Sequence, residues 1–368
     1  MSAIENEGIM RMQLDGVKHP ADSNKLIGHQ NAQEVMAQAL ASEQLHHAWL
    51  ITGAEGIGKA TFAFHFAKHI IAHFRDKNLT GDSMFGEVGT TGFTELTQDD
   101  PISRQIANGS HPEVLYLSRP WDQKTKKFKT KLTVDVIRKT VKFFGATSMN
   151  DGWRIAIVDA ADDMNASAAN ALLKILEEPP KRSLFLVVSH SPGKLLPTIR
   201  SRCRHLALKP LDFDEIKTIL NLQEGVTLPS GEVLDAVAKL SEGSAKRAVQ
   251  LCEGNALKHY QLFMEVTQNT TPNWIKIHSL ADALAKAGND DEYSLFFDMI
   301  NGFLARRVRA QDEPLMHHQE GLLNPSHFPL AHWADLWENL QKSRAVADGY
   351  NLDRKQVILS FFQALFQS

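Results

Sequence analysis

Residues 53 to 61, GAEGIGKAT, set three glycines and a lysine at a spacing suited to holding phosphate. Gly53, Gly56 and Gly58 let the backbone turn its N–H groups toward a β-phosphate. Lys59 supplies charge for the β- and γ-phosphates, and a following helix N-terminus adds a partial positive charge. The flanks give the required context: the apolar run HAWLIT has strand length, and Phe62, Phe66 and Ile70 recur every fourth residue beyond the loop. A plain strand-to-helix turn that happens to contain these residues is the bland alternative. The position after the lysine should carry the hydroxyl that ligates magnesium, and here it is Ala60. Thr61 joins the expected nucleotide-binding set, but one step along a helix turns a side chain by about 100°, which makes it a poor magnesium ligand.

The second half of such a site is a carboxylate at the end of a buried strand. RIAIVDAADDM supplies Asp159 in that role and puts Ala160 where a hydrolysing enzyme needs an acid to polarise water. Asp162 and Asp163 fall past the strand end and are read as capping the next turn. Two parts of a hydrolysis machine are therefore missing while the phosphate cradle is kept. The expectation is ATP or ADP bound without turnover.

The elements that must position these groups follow from periodicity. HAWLIT, EVLYL, RIAIVD and SLFLVVSH read as buried strands alternating with helices, which predicts a parallel sheet covered on both faces. The helical stripes are Val35, Met36, Ala39 and Leu40; then Val134, Ile137, Val141 and Phe144; then Ala169, Leu172, Leu173 and Leu176 behind an Asn165 cap. Residues 76–113 look like an irregular insertion. From Asp212, which forms a candidate capping box with Glu215, only helices are expected, including stripes at Leu234, Val237 and Leu240, at Trp333, Leu336, Trp337 and Leu340, and at Ile358, Phe361, Phe362 and Leu365.

The chain has 368 residues, 43% hydrophobic and 23% charged, with a net charge of -3, so two or three domains are expected and a wholly basic nucleic-acid binder is not. Cys203 and Cys252 are the two cysteines, too few for a disulfide scaffold. A polar, early-acidic N-terminus and the lack of a long apolar run give a cytoplasmic expectation. His65, His69 and His73 share one helical face; with no acidic or thiolate ligand nearby they are read as a polar helix face rather than a metal site. KTKKFKTK, 124–131, is read as a solvated basic hairpin, with nucleic-acid backbone or an acidic partner as the alternative.

AANALLKILEEPP after the aspartate strand, SRCR after LLPTIR, and GSAKRAV further on resemble the bacterial clamp-loader branch of the AAA+ ATPases, and within it the delta-prime family of DNA polymerase III. The likeness runs from about residue 25 to about residue 251 and more weakly through NLDRKQVILSFFQAL. It implies a polar extension (1–24), a RecA-like AAA+ P-loop domain with a parallel sheet (25–208), a small helical lid (209–256) and an all-α collar (257–368) through which a five-membered ring assembles. It also implies that Arg202 acts as an arginine finger in the ATP site of a neighbouring subunit. Arg200 and Arg204 are read as ordinary surface residues.

Arg247 stands near the lid arginine that senses phosphate, one residue out of register, with Lys246 aligned instead. Ser189 matches the region of the polar γ-phosphate sensor, and LIGHQ the segment beside the adenine. The four-cysteine zinc module common in the family has no counterpart between residues 59 and 159. The implied partners are the gamma/tau ATPase and delta subunits, the sliding clamp, and primed DNA reached through the complex, all within the DNA-directed DNA polymerase holoenzyme. An ATP-hydrolysing gamma/tau-type subunit is the alternative, and it would need a hydroxyl at 60 and an acid at 160. A P-loop kinase or metabolic enzyme leaves SRCR unexplained.

Overall fold

The computed structural model describes residues 18–80, 92–124, 127–145, 152–223, 225–229, 231–267, 269, 271–286, 288–309, 328–350 and 352–366. By contact the chain separates into two compact units, Met1–Gly225 and Val226–Ser368.

The first unit is built on a five-stranded sheet: β1 (Ala48–Thr52), β2 (Val114–Leu117), β3 (Arg154–Val158), β4 (Ser183–Ser189) and β5 (Arg204–Ala207). Their order is β2-β3-β4-β1-β5, and every pairing is parallel. Side chains along a strand alternate between faces, and here both faces are covered. Trp49 and Ile51, Ile155 and Ile157, and Leu184 and Leu186 enter one apolar cluster with helices α1 (Gln30–Ala41) and α2 (Lys59–Thr80). Leu50, Ala156, Val158, Phe185 and Val187 enter the other. Its helices are α4 (Val134–Gly145), α5 (Ala166–Glu177) and α6 (Pro197–Arg202), which follow a short α3 (Pro101–Ala107) in the chain. The continuous apolar strands of the sequence are thus the mark of a two-sided sheet.

Several expectations need correction. In α4 the buried stripe is Val136, Ile137, Thr140 and Phe144, while Val141 is 60% exposed. Thr140 tolerates the interior because its hydroxyl donates to the Ile137 carbonyl. In α1, Val35 is likewise 41% exposed beside the buried Met36, Ala39 and Leu40. The span 76–113 is not all irregular: α2 runs to Thr80 and α3 lies within it, while residues 81–91 fall outside the described residues. Asp100 caps α3 by accepting from the Ile102 N–H at 2.8 Å, and Pro101 starts it.

The expected polar face of His65 and His69 is buried. His69 stacks on Phe93 and bonds Thr94 through Nδ1, and the Lys68 ammonium donates to the Ser23 carbonyl at 2.8 Å, so residues just after 17 pack onto α2. Burial, with the Lys68 charge beside His65 and His73 beside His69, lowers both imidazoles from 6.5 to about 4. The unfolded chain therefore takes up these protons first, so stability is complete above pH 6.5 and is lost as the pH falls toward about 4, at on the order of 1 kcal/mol per pH unit for each histidine. The expected result is a urea midpoint that declines across this window, with a shallower decline in His65→Leu.

Trp121–Asp122 pairs antiparallel with Lys127–Phe128, and the Trp121 and Phe128 rings meet edge to face at 4.8 Å. This is a hairpin with Lys124, Lys129 and Lys131 exposed; residues 125–126 of the basic stretch lie outside the described residues. The first unit closes with α7 (Phe213–Asn221), whose capping box pairs Asp212 and Glu215 reciprocally at 2.8 Å.

The second unit is helical: α8 (Glu232–Leu240), α9 (Ala245–Glu253), α10 (Ala256–Val266), α11 (Trp274–Ala285), α12 (Asp290–Val308), α13 (Leu330–Tyr350) and α14 (Arg354–Phe366). Phe263 is a centre of its core, within aromatic reach of Phe296, Phe361 and Phe362. Among the described residues no helix is long and apolar enough to cross a membrane.

Candidate nucleotide-binding site

The loop leaves β1 after Thr52 and enters α2 at Lys59. Gly53, Gly56 and Gly58 adopt φ values of 147°, 78° and 95°, backbone that side chains other than glycine's rarely take. Lys59 is buried, and its ammonium folds back onto the carbonyls of Gly53, at 2.9 Å, and Ala54. Burial lowers its pKa to about 8, against the raising pull of Asp159, Glu55 and Asp162. The charge a phosphate would need is thus inside the loop, held by the loop's own oxygens.

LIGHQ packs directly against this turn. His29 sits in left-handed backbone ahead of α1, and its Nε2–H donates to the Ile57 carbonyl at 2.8 Å; burial lowers its pKa, which keeps the ring a neutral donor. Thr52, the last residue of β1, is bonded to His205 Nε2 at 2.9 Å, tying the loop's base to β5.

Asp159 stands at the C-terminal end of β3, where the sequence places it, and its partner comes from a different strand. The Tyr116 hydroxyl, from β2, donates to Asp159 Oδ2 at 2.7 Å. Burial raises the Asp159 pKa, opposed by Tyr116, the Ala160 N–H and the Lys59 charge. The signal available in the sequence was a tyrosine in an otherwise aliphatic strand, which needs a partner for its hydroxyl. Ala160 follows at a φ of 58° and presents only a methyl group.

Asp162 does more than cap a turn. Its Oδ1 accepts from Ser189 Oγ at 2.7 Å and from the Ser191 N–H at 3.2 Å, and its Oδ2 from the His190 N–H at 2.7 Å. Ser189, the expected γ-phosphate sensor, is therefore committed to holding the end of β4 onto the turn after β3. Asp163 faces Arg119 at 3.4 Å.

A magnesium ion, which this fold uses with nucleotide, does not fit the donor set. It asks for oxygen ligands in near-ideal octahedral geometry. The first helical turn offers the Ala60 methyl, Asp159 accepts from a phenol, and both oxygens of Asp162 are taken.

Arg202 ends α6 at the surface. Its Nη2 pairs with Glu177 Oε1 at 2.7 Å and its Nη1 donates to the Thr198 carbonyl at 3.1 Å. Arg204 is exposed, as expected of a surface residue, and its guanidinium lies over the buried Trp49 ring at 4.7 Å. Burial pushes the Cys203 thiol up to about 12, so it is inert. Arg247 belongs to the second unit, where it pairs with Glu242 at 2.9 Å and Glu242 also binds Arg306.

The sequence model of the family described as "DNA polymerase III, delta subunit" matches residues 28–212, half of the chain. The chain belongs to this family. Among curated relatives, the DNA polymerase III subunit delta' of Pseudomonas aeruginosa is 29% identical over 79% of each chain. Subunit gamma of Buchnera aphidicola is 27% identical over 64% of this chain and 58% of its own length. Subunit tau of Escherichia coli is 27% identical over 62% of this chain and 32% of its own. In this member of the DNA polymerase III family the matched segment carries the glycine loop and the parallel sheet, and it ends at Asp212, where α7 is capped.

Proposed function

We propose that this chain is the non-hydrolysing, delta-prime-type subunit of a DNA polymerase III clamp loader. It holds ATP or ADP in the cradle of Gly53, Gly56, Gly58, Lys59 and Thr61, beside Asp159, without turning it over. Its collar, 257–368, joins it to gamma/tau and delta subunits in a ring. Arg202 is lent to the ATP site of a neighbouring subunit while the ring loads the sliding clamp on primed DNA.

The observation that carries this reading is the state of the turnover positions. Methyl groups stand at Ala60 and Ala160, and the remaining carboxylates are committed to Tyr116, Ser189 and Arg119. Asp159 and Asp162 are bound to protein donors and Asp163 faces Arg119, so the position beside Asp159 that would polarise water is left to the Ala160 methyl. Arg202 fits the finger role because it is at the surface, at a helix end, with an acid that can release it. The gamma/tau-type alternative asks for the two groups that the alanines replace.

The isolated chain is expected to show no ATP hydrolysis above buffer in a phosphate-release assay while it still enters the complex with gamma/tau and delta subunits. Turnover at a motor subunit's rate sinks the proposal.

A further inference from the structure

We propose that the Gly53–Lys59 cradle takes its nucleotide without magnesium, as the bare di- or triphosphate anion. The inference rests on the reading of this loop as a nucleotide site and adds the ionic form of the ligand.

In solution magnesium bridges phosphate oxygens and completes its shell with water; a P-loop accepts that complex because a helix hydroxyl and a strand-end carboxylate replace part of the shell. Here the hydroxyl position is Ala60. The strand-end carboxylate, Asp159, accepts from the Tyr116 hydroxyl through Oδ2 at 2.7 Å, which leaves it less able to replace water on a hydrated cation. No nearby acid substitutes: Asp162 accepts three hydrogen bonds that hold the end of β4, and Asp163 faces Arg119. Among the described residues no group of three or more histidine, cysteine, aspartate or glutamate side chains could hold a metal.

The cationic side of the cradle is intact. Lys59 is buried at the start of α2 and rests on two loop carbonyls, from which it can turn to phosphate oxygens. Magnesium in the buffer withdraws the anion that the loop binds.

The test is calorimetric titration of the purified chain with ADP, in chelator and in millimolar magnesium. Affinity is expected to be weaker with magnesium, by up to about tenfold, and an unchanged affinity overturns the inference because the magnesium complex is then held as well as the bare anion. The double variant Ala60→Ser, Tyr116→Phe restores the hydroxyl and releases Asp159, and its affinity is expected to rise about tenfold with magnesium. Magnesium-tightened binding to the wild-type chain overturns the inference and leaves the cradle standing. No ADP binding in either buffer overturns the cradle reading, and the inference with it. A double variant that is folded by circular dichroism, binds ADP and ignores magnesium overturns the assignment of Ala60 and Tyr116 as the cause.

Discussion

A clamp loader reconstituted with Arg202→Ala is expected to assemble as the wild-type complex does and to hydrolyse ATP about 10³-fold more slowly at the site this residue serves. The two halves of that expectation have separate physical causes. In the chain itself Arg202 makes one ion pair, with Glu177, in which the two side chains are 36% and 42% exposed. A pair that open to solvent is worth about 1 kcal/mol or less, so its loss barely touches folding or the ring. Against a neighbour's γ-phosphate, the same guanidinium would meet charge that develops only in the transition state, where water is excluded and the field is strong. Arg204→Ala serves as the control: its guanidinium lies on Trp49, so it should lower the stability of the first unit and leave the per-complex ATPase near wild type. Wild-type turnover in an assembled Arg202→Ala complex removes the finger assignment.

What could be read before the structure depended on whether the determining contact was local. The loop, its flanking strand and helix, the Asn165 cap and the Asp212 capping box are set by neighbours a few residues apart, and each stands where the sequence puts it. The two-sided sheet was legible too, because a strand buried on both faces has no polar alternation to hide. Face choice was less legible. Val141 and Thr140 are adjacent, and only the packing of α4 on the sheet decides that the threonine turns inward. Asp100-Pro101 is a readable helix start inside an otherwise irregular stretch, but α3 is seven residues long and carries little periodicity to support it. The least legible feature was chemical. Tyr116 and Asp159 are 43 residues apart and meet because β2 pairs with β3, a fact of register that no spacing rule contains. The motif thus showed which groups were missing, while the structure showed what holds those that remain.

Gly53→Ala is expected to lower the stability of the first unit by about 3 kcal/mol, read as a fall in its urea midpoint. Two costs combine at this position. Its φ of 147° is one that an L-residue adopts only under strain, and a Cβ there would come within 2.6 Å of Ile57 Cδ1 and 2.7 Å of the Leu208 carbonyl oxygen. Ile57 is fully buried, and Leu208 is fixed by its own N–H, which donates to the Thr52 carbonyl at 2.8 Å, so neither neighbour can easily give way. Gly58→Ala separates the two costs: its φ is 95°, but the nearest atom to an added Cβ is His29 Nε2 at 3.8 Å, which leaves strain without a clash and an expected loss of about 1 to 2 kcal/mol. Equal losses at the two positions would mean that the close approach to Leu208 is immaterial. A larger loss at Gly53 means that the loop's shape is fixed by packing against the exit of β5, whether or not phosphate is present. A loop held in that way keeps its geometry without a ligand, because the glycine at 53 lets the edge strand β5 close onto β1.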